Sequence, residues 1–295
     1  MVSSAPPFRM ASAPRRRGRI HWYRRMGRGR AVRLCRRALV VMLSAPPVVQ
    51  ILGGALVIVT AWLAINWMYQ TIRKPTELFF PISGTLVKTP AETWRQYGSL
   101  FEKHSTAVVT PELLAALAQV EGGGNPMART YWRANLTWNP LQVYRPASSA
   151  AGMFQMTDGT FQEAKRYCIH DHKVVQDGAW HDTKSCWFNN LYTRVLPSHA
   201  IELAAVQLDR GVAAAIGQRR VAATLQQKHN LASVIHLCGA TAGRAYAARG
   251  FKLAPRQRCG DHDVARYLAR VNGMKRQFAG LAAGEKSVPQ LVKGN

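Results

Sequence analysis

Glu121 closes the run Leu113-Leu114-Ala115-Ala116-Leu117-Ala118-Gln119-Val120-Glu121 and stands directly before Gly122, Gly123 and Gly124. A carboxyl group so placed is a candidate general acid. Leu113, Leu114, Leu117 and Val120 recur at helical spacing, and Glu121 follows Leu117 by four residues, which sets it beside the apolar stripe. Partial burial disfavours a charged carboxylate, and the unpaired carbonyls of a helix C-terminus repel one. Both effects favour a carboxyl that keeps its proton until the substrate takes it. The plain alternative is a solvated glutamate at a helix end. The helix start is marked by Thr110 as N-cap, Pro111 at the first helical position and Glu112 at the positive end of the dipole.

Three further stretches carry chemistry-bearing residues. The segment Ser148-Ser149-Ala150-Ala151-Gly152-Met153-Phe154-Gln155-Met156-Thr157-Asp158-Gly159-Thr160-Phe161 combines a glycine with a glutamine three residues on. Next come His236-Leu237-Cys238-Gly239-Ala240-Thr241-Ala242-Gly243-Arg244 and His262-Asp263-Val264-Ala265-Arg266-Tyr267-Leu268-Ala269-Arg270-Val271. In this order, and after a glutamate at a helix end, they resemble the motifs of the soluble lytic transglycosylase (SLT) family, whose fold is lysozyme-like. The resemblance covers about residues 108–280. It aligns Glu121 with the catalytic acid and Gly152 and Gln155 with the Gly and Gln of a Gly-Leu-Met-Gln stretch. It also aligns residues 236–244 with an Ala-Tyr-Asn-Ala-Gly-x-Gly motif, and residues 262–271 with a closing Glu-Thr-x-x-Tyr-Val-x-Arg-Val helix.

The chain departs from that pattern at four points. Gly122 replaces the serine after the acid, Phe154 replaces the methionine, the Glu121-to-Gln155 spacing is longer by about one loop, and His236 aligns with the tyrosine thought to hydrogen-bond the acid. The resemblance implies that Glu121 protonates the oxygen between N-acetylmuramic acid and N-acetylglucosamine, then acts as base while the C6 hydroxyl closes a 1,6-anhydro ring. Gly152, Gln155 and His236 would position sugar or acid, and Met153 and Phe154 would line the cleft. Glycosidases usually use two carboxyl groups, and Asp158 and Glu163 are near in sequence with nothing to aim them at the cleft. A hydrolysing muramidase and a wall-binding scaffold that has lost catalysis are the competing classes. No cofactor is implied.

Charge and hydropathy along the rest of the chain bear on its setting. The formal charge is +25 over 295 residues, and residues 1–37 hold 12 Arg and no acid. Such an arm could bind nucleic acid, but the uncharged run close behind it favours a role in membrane topology. Val48 to Tyr69 are 22 residues without charge; as a helix they reach ~33 Å, enough to cross a bilayer. Trp62, Trp67 and Tyr69 gather at the C-terminal end, as interface aromatics do, and the arginine excess ahead of the run places the N-terminus in the cytoplasm. The expectation is a single-pass inner-membrane anchor over 48–69 and a periplasmic remainder. A cleaved signal peptide is the rival, disfavoured by the long basic region and the long apolar run.

Cys35 falls on the cytoplasmic side, and Cys168, Cys186, Cys238 and Cys259 on the exported side. Four cysteines allow three pairings; the short loops of Cys168–Cys186 and Cys238–Cys259 favour that set. Zinc ligation, with His170, His172 and His181 nearby, is the rival, and an oxidising compartment favours disulfides. No resident metal is expected.

Residues 70–107 read as a connector with one helix: Thr76 to Lys88 as irregular, then Thr89 and Glu92 at capping-box spacing and an apolar face through Trp94, Tyr97, Leu100 and Phe101. The stretch between Glu121 and Gly152 holds Tyr131, Trp132, Trp138 and Tyr144 with Arg129, Arg133 and Arg145. Aromatic faces suit sugar rings and arginines suit carboxylates, so Tyr144 is a candidate substrate contact. The alternative is a loop folded on its own aromatics. Beyond residue 37 the chain still carries 28 Lys and Arg against 15 acids, which suits an anionic polymer such as peptidoglycan. Helical periodicity from Leu196 onward and the absence of any long alternating run predict a mainly α domain over 108–280. Residues 281–295 read as a frayed tail.

Overall fold

The computed structural model describes residues 32–34, 37, 40–41, 43–176, 178–179, 181–182, 185–217 and 222–292, without the side chains of 80–81 and 286–292. Most of the arginine-rich arm, Cys35 and Lys293 to Asn295 lie outside the described residues. The chain divides into two compact units, Met1–Ile65 and Asn66–Asn295.

Helix α1, Pro47–Arg73, is the one helix among the described residues long and apolar enough to cross a membrane. Leu52, Leu56, Ile58 and Leu63 all stand exposed. An apolar helix that buries none of these side chains in protein suits a lipid surrounding rather than water.

The second unit is mainly helical. After α1 the segment expected to be irregular forms tight helical turns: 3₁₀ turns at Pro75–Phe79 and Gly84–Leu86 flank α2, Phe80–Ser83. Helix α3, Pro90–Lys103, starts on the expected capping box, with the Thr89 and Glu92 side chains each accepting from the other's backbone N–H. Trp94, Tyr97 and Phe101 bury its apolar face.

Helix α4, Pro111–Gly122, is the core element that sets the candidate acid. Thr110 caps it by accepting from the Leu113 N–H. Every residue from Leu113 to Ala118 is fully buried, because α3, α6 and α8 pack around it. Small alanines on several faces allow that close approach, and only the last turn emerges. The later helices are α5 (Asp158–Ala164), α6 (Pro197–Gly217), α7 (Leu225–Ala248) and α8 (Val264–Val292).

Among the described residues three two-stranded antiparallel hairpins interrupt the helices: β1–β2 (Trp132–Ala134, Tyr144–Pro146), β3–β4 (Tyr167–His170, Lys173–Gln176) and β5–β6 (Arg258–Cys259, His262–Asp263). Strands of two to four residues are too short for alternation to show in sequence. Cys168–Cys186 and Cys238–Cys259 form disulfides, each with Cα atoms 5.4 Å apart. The first ties β3 to the segment after β4, and the second ties α7 to β5. Loops of 18 and 21 residues are worth ~3 kcal/mol each in the chain-entropy model.

The tail corrects the expectation of fraying, since α8 continues to Val292. Met274, Phe278 and Ala282 extend the apolar stripe of Val264, Leu268 and Val271 at helical spacing. Phe278 is fully buried against Trp94, and the Trp94 indole N–H donates to Glu285 Oε2 at 2.8 Å.

Candidate active site

Glu121 occupies the last turn of α4, which Gly123 ends in the left-handed conformation. Two helices reach it. Tyr267, on the first turn of α8, donates its hydroxyl to Glu121 Oε1 at 2.5 Å. His236 of α7 brings Nε2 to 3.7 Å from the same oxygen. Oε2 carries no hydrogen bond among the described residues. One oxygen is therefore held and the other is not.

Tyr267 is buried. Burial, reinforced by the neighbouring Glu121 carboxylate, raises its phenol well above the usual range, so it keeps its proton and acts only as a donor to the carboxyl. This corrects the assignment of that role to His236. The imidazole stands beyond hydrogen-bond distance, and its buried Nδ1 has no partner among the described residues. A signal for Tyr267 did exist in the sequence: a tyrosine on the apolar face of a helix must find a partner for its hydroxyl. Tyr267 shares such a face with Val264, Leu268 and Val271.

The second motif reaches Glu121 through backbone. A Cβ on Gly122 would stand 2.7 Å from both Cα and O of Met153, so only glycine lets the end of α4 touch this turn. Gly152 has φ +77° and an added Cβ would run into the Arg194 carbonyl oxygen. Its N–H donates to Ala128 O at 2.8 Å.

Gln155 spends its amide on the same frame, donating to Ala128 O at 3.1 Å and Gly152 O at 2.9 Å. It braces the turn. Met153 and Phe154 are 0% and 1% exposed and belong to the core, which corrects their placement as cleft-lining residues. The reason is direction: the turn faces its backbone to α4 and both side chains inward.

Glu121 opens onto a cavity of about 360 Å³ lined by Ser83, Gly84, Val87, Gly122, Asn125, Ala128, Arg129, Thr130 and Tyr131. The segment read as a connector therefore supplies one wall. It is held there by ionic and polar contacts. Glu77, fully buried, accepts from Arg129 Nη1 at 3.0 Å and the Trp132 indole at 2.8 Å, and Lys74 Nζ lies 3.3 Å away. Burial lowers the Lys74 ammonium below its ordinary range, opposed by Glu77. Asn125 is buried, donating to Ser83 O at 2.5 Å and accepting from the Met127 N–H.

Tyr144 is absent from this lining. Its ring packs on Trp132 with centroids 5.2 Å apart, and Tyr131, 67% exposed, is the aromatic at the cavity instead. Pairing in β1–β2 turns alternate residues to opposite sides, and no register can be read from the sequence alone.

No protein-family model and no curated protein matches this chain. The geometry must carry the reading.

Among the described residues no carboxylate besides Glu121 lines this cavity. Asp158 pairs with Arg194 at 2.6 Å and Glu163 with Arg210 at 3.6 Å. Glu163 lines a separate cavity of about 270 Å³ with Arg210 and Arg244, and Glu92 a further one of about 610 Å³ where it closes the α3 capping box. In each the carboxylate already has a partner. Among the described residues no group of His, Cys, Asp and Glu is arranged to hold a metal.

Proposed function

We propose that the chain is a membrane-anchored peptidoglycan lytic transglycosylase with a lysozyme-like domain and Glu121 as its single acid and base. One observation carries the reading: a carboxyl with one oxygen fixed by a buried tyrosine hydroxyl and the other unbonded, in a cavity lined by no second carboxylate among the described residues. The order of motifs around Glu121, Gly152, His236 and Tyr267 supports the same family.

A lone carboxyl suits a reaction in which the sugar supplies the nucleophile. Glu121 gives its proton to the glycosidic oxygen as the C1–O bond of N-acetylmuramic acid breaks. The C6 hydroxyl then forms a bond to C1 and returns its proton to Glu121, so the carboxyl is regenerated and no water is consumed. Tyr267 holds the carboxyl in line and stabilises the carboxylate between the two steps. Asn125, Arg129, Thr130 and Tyr131 surround the place for the sugars, with Tyr131 offering a ring face.

The setting rests on α1 and the disulfides. A helix able to cross a bilayer, preceded by an arginine-rich arm, suits an inner-membrane anchor with a cytoplasmic N-terminus and a periplasmic catalytic domain. Two disulfides suit an oxidising compartment.

The test is mass spectrometry of purified peptidoglycan digested by the full-length protein, disulfides oxidised, beside Glu121→Gln. Anhydro-ended fragments from the parent alone are expected. Reducing ends would make it a hydrolase, and no release by either protein would leave a wall-binding scaffold.

A further inference from the structure

Near its C-terminal end α1 changes character. Asn66, Gln70 and Thr71 are buried on a helix whose apolar residues otherwise face outward. Asn66 Nδ2 donates to Tyr144 O at 2.7 Å, and Gln70 Nε2 donates to Leu141 O at 2.7 Å. One turn later Lys74 Nζ donates to Ser148 O at 3.1 Å, and Glu77 holds Trp132 and Arg129. The β1–β2 hairpin is therefore fixed along residues 66–77 by side chains reaching its backbone and its Trp132 indole.

Its tip is built unlike a solvated loop. Leu136 and Trp138 are 104% and 103% exposed; burying each would gain ~1.5–3 kcal/mol. Arg133 stands directly across from Arg145 in the register, and neither has a carboxylate partner among the described residues. Like charges opposite one another destabilise a hairpin in water and are relieved by an anion bound between them. Apolar tip residues flanked by such arginines are the composition of a membrane-interface element.

Helix α1 is longer than a bilayer core requires. Helix α1 has 27 residues, ~40 Å at 1.5 Å per residue against a hydrocarbon core of ~30 Å. Of the side chains that hold the hairpin, Asn66 and Gln70 lie in the last turns of α1 and Lys74 and Glu77 just beyond it. Trp67, 40% exposed, and Ile72, 74% exposed, present further apolar surface there.

We propose that the β1–β2 hairpin is a second, interfacial contact with the bilayer that α1 crosses: Leu136 and Trp138 enter the headgroup boundary of the periplasmic leaflet, and Arg133 and Arg145 take lipid phosphates. This rests on the membrane-anchor reading of α1. Thr130 and Tyr131, which line the Glu121 cavity, run straight into β1.

The test places an environment-sensitive nitrobenzoxadiazole label on the full-length protein in nanodiscs of phosphatidylethanolamine and phosphatidylglycerol. Leu136→Cys is compared with Ile58→Cys in the anchor and Phe188→Cys on an exposed turn elsewhere, each in a Cys35→Ser background with the disulfides oxidised. Shallow doxyl-labelled lipid should quench the label at 136 severalfold more than the label at 188, and deep doxyl-labelled lipid should quench the label at 58. Quenching at 58 with position 136 no different from 188 overturns the hairpin contact and leaves the anchor standing. No quenching at 58 overturns both.

Discussion

Replacing Tyr267 by Phe removes one oxygen and keeps the ring that α8 buries. The hydroxyl donates to Glu121 Oε1 at 2.5 Å, and a hydrogen bond to a charged group is worth ~1.5–3 kcal/mol. In the proposed reaction that stabilisation belongs to the carboxylate, the form Glu121 would take as the glycosidic oxygen receives its proton. Without it the charge that develops on Glu121 in the transition state of the proposed reaction loses a donor, and the barrier to bond cleavage rises. At ~1.4 kcal/mol per factor of ten, the full loss would slow turnover by about 10- to 150-fold.

The Glu121 side chain is 18% exposed, so water can take over part of the donation. His236 Nε2, 3.7 Å away, is too far to replace it without moving. The lower end, about tenfold, is therefore the expected loss in kcat. The assay is initial release of soluble fragments from peptidoglycan under saturating substrate, with a thermal melt of the same preparation. A variant with the parent's kcat and the parent's Tm would refute the role given to Tyr267, because the packing would be intact and the donor dispensable.

Two other outcomes are specific to this structure. Gly152→Ala forces a side chain into a left-handed backbone at φ +77° and against the Arg194 carbonyl. The backbone alone costs ~1–2 kcal/mol, so the melting temperature should fall by several degrees, measured by circular dichroism, with activity lost alongside as the turn leaves Gly122. His229 on α7 is buried with Lys275 Nζ 2.9 Å from its Nδ1; burial first, and Lys275 second, bring its imidazole down from 6.5 to about 4. The unfolded chain then binds more protons between these values, so stability is full above pH ~6.5 and falls as the pH drops towards ~4. The loss is ~3 kcal/mol at most. Urea midpoints at pH 7 and pH 4.5 should differ more for the parent than for His229→Gln, and equal differences would exclude His229 as the group responsible.

Much of the scaffold was legible because it is local. Thr110, Pro111 and the spacing of Leu113, Leu114 and Leu117 mark α4, and Thr89 with Glu92 marks the start of α3. The two disulfide pairs obey the short-loop preference. Elements set by distant partners were not legible. The tight turns over 75–86 carry no periodic signal, and they are held by Glu77 meeting Arg129 and Trp132 some fifty residues away in sequence. The three hairpins are too short to alternate visibly. Residues beyond Gly280 look weakly patterned in isolation, yet Ala282 continues the stripe of Phe278, which packs on Trp94.

The candidate site divides in the same way. Sequence determined that Glu121 closes an apolar helical stripe next to three glycines. It also determined that a span of 22 uncharged residues comes after an arginine-rich arm. Which side chain touches the carboxyl was decided by tertiary structure alone. Helices α7 and α8 both approach Glu121, and their packing angle and register, not their composition, give the hydroxyl of Tyr267 the contact and leave His236 short of it. The same holds for Met153, Phe154 and Tyr131: type and spacing can say that a residue is apolar or aromatic. Whether it faces the core or the cavity depends on which way a turn is presented by elements far away in the chain.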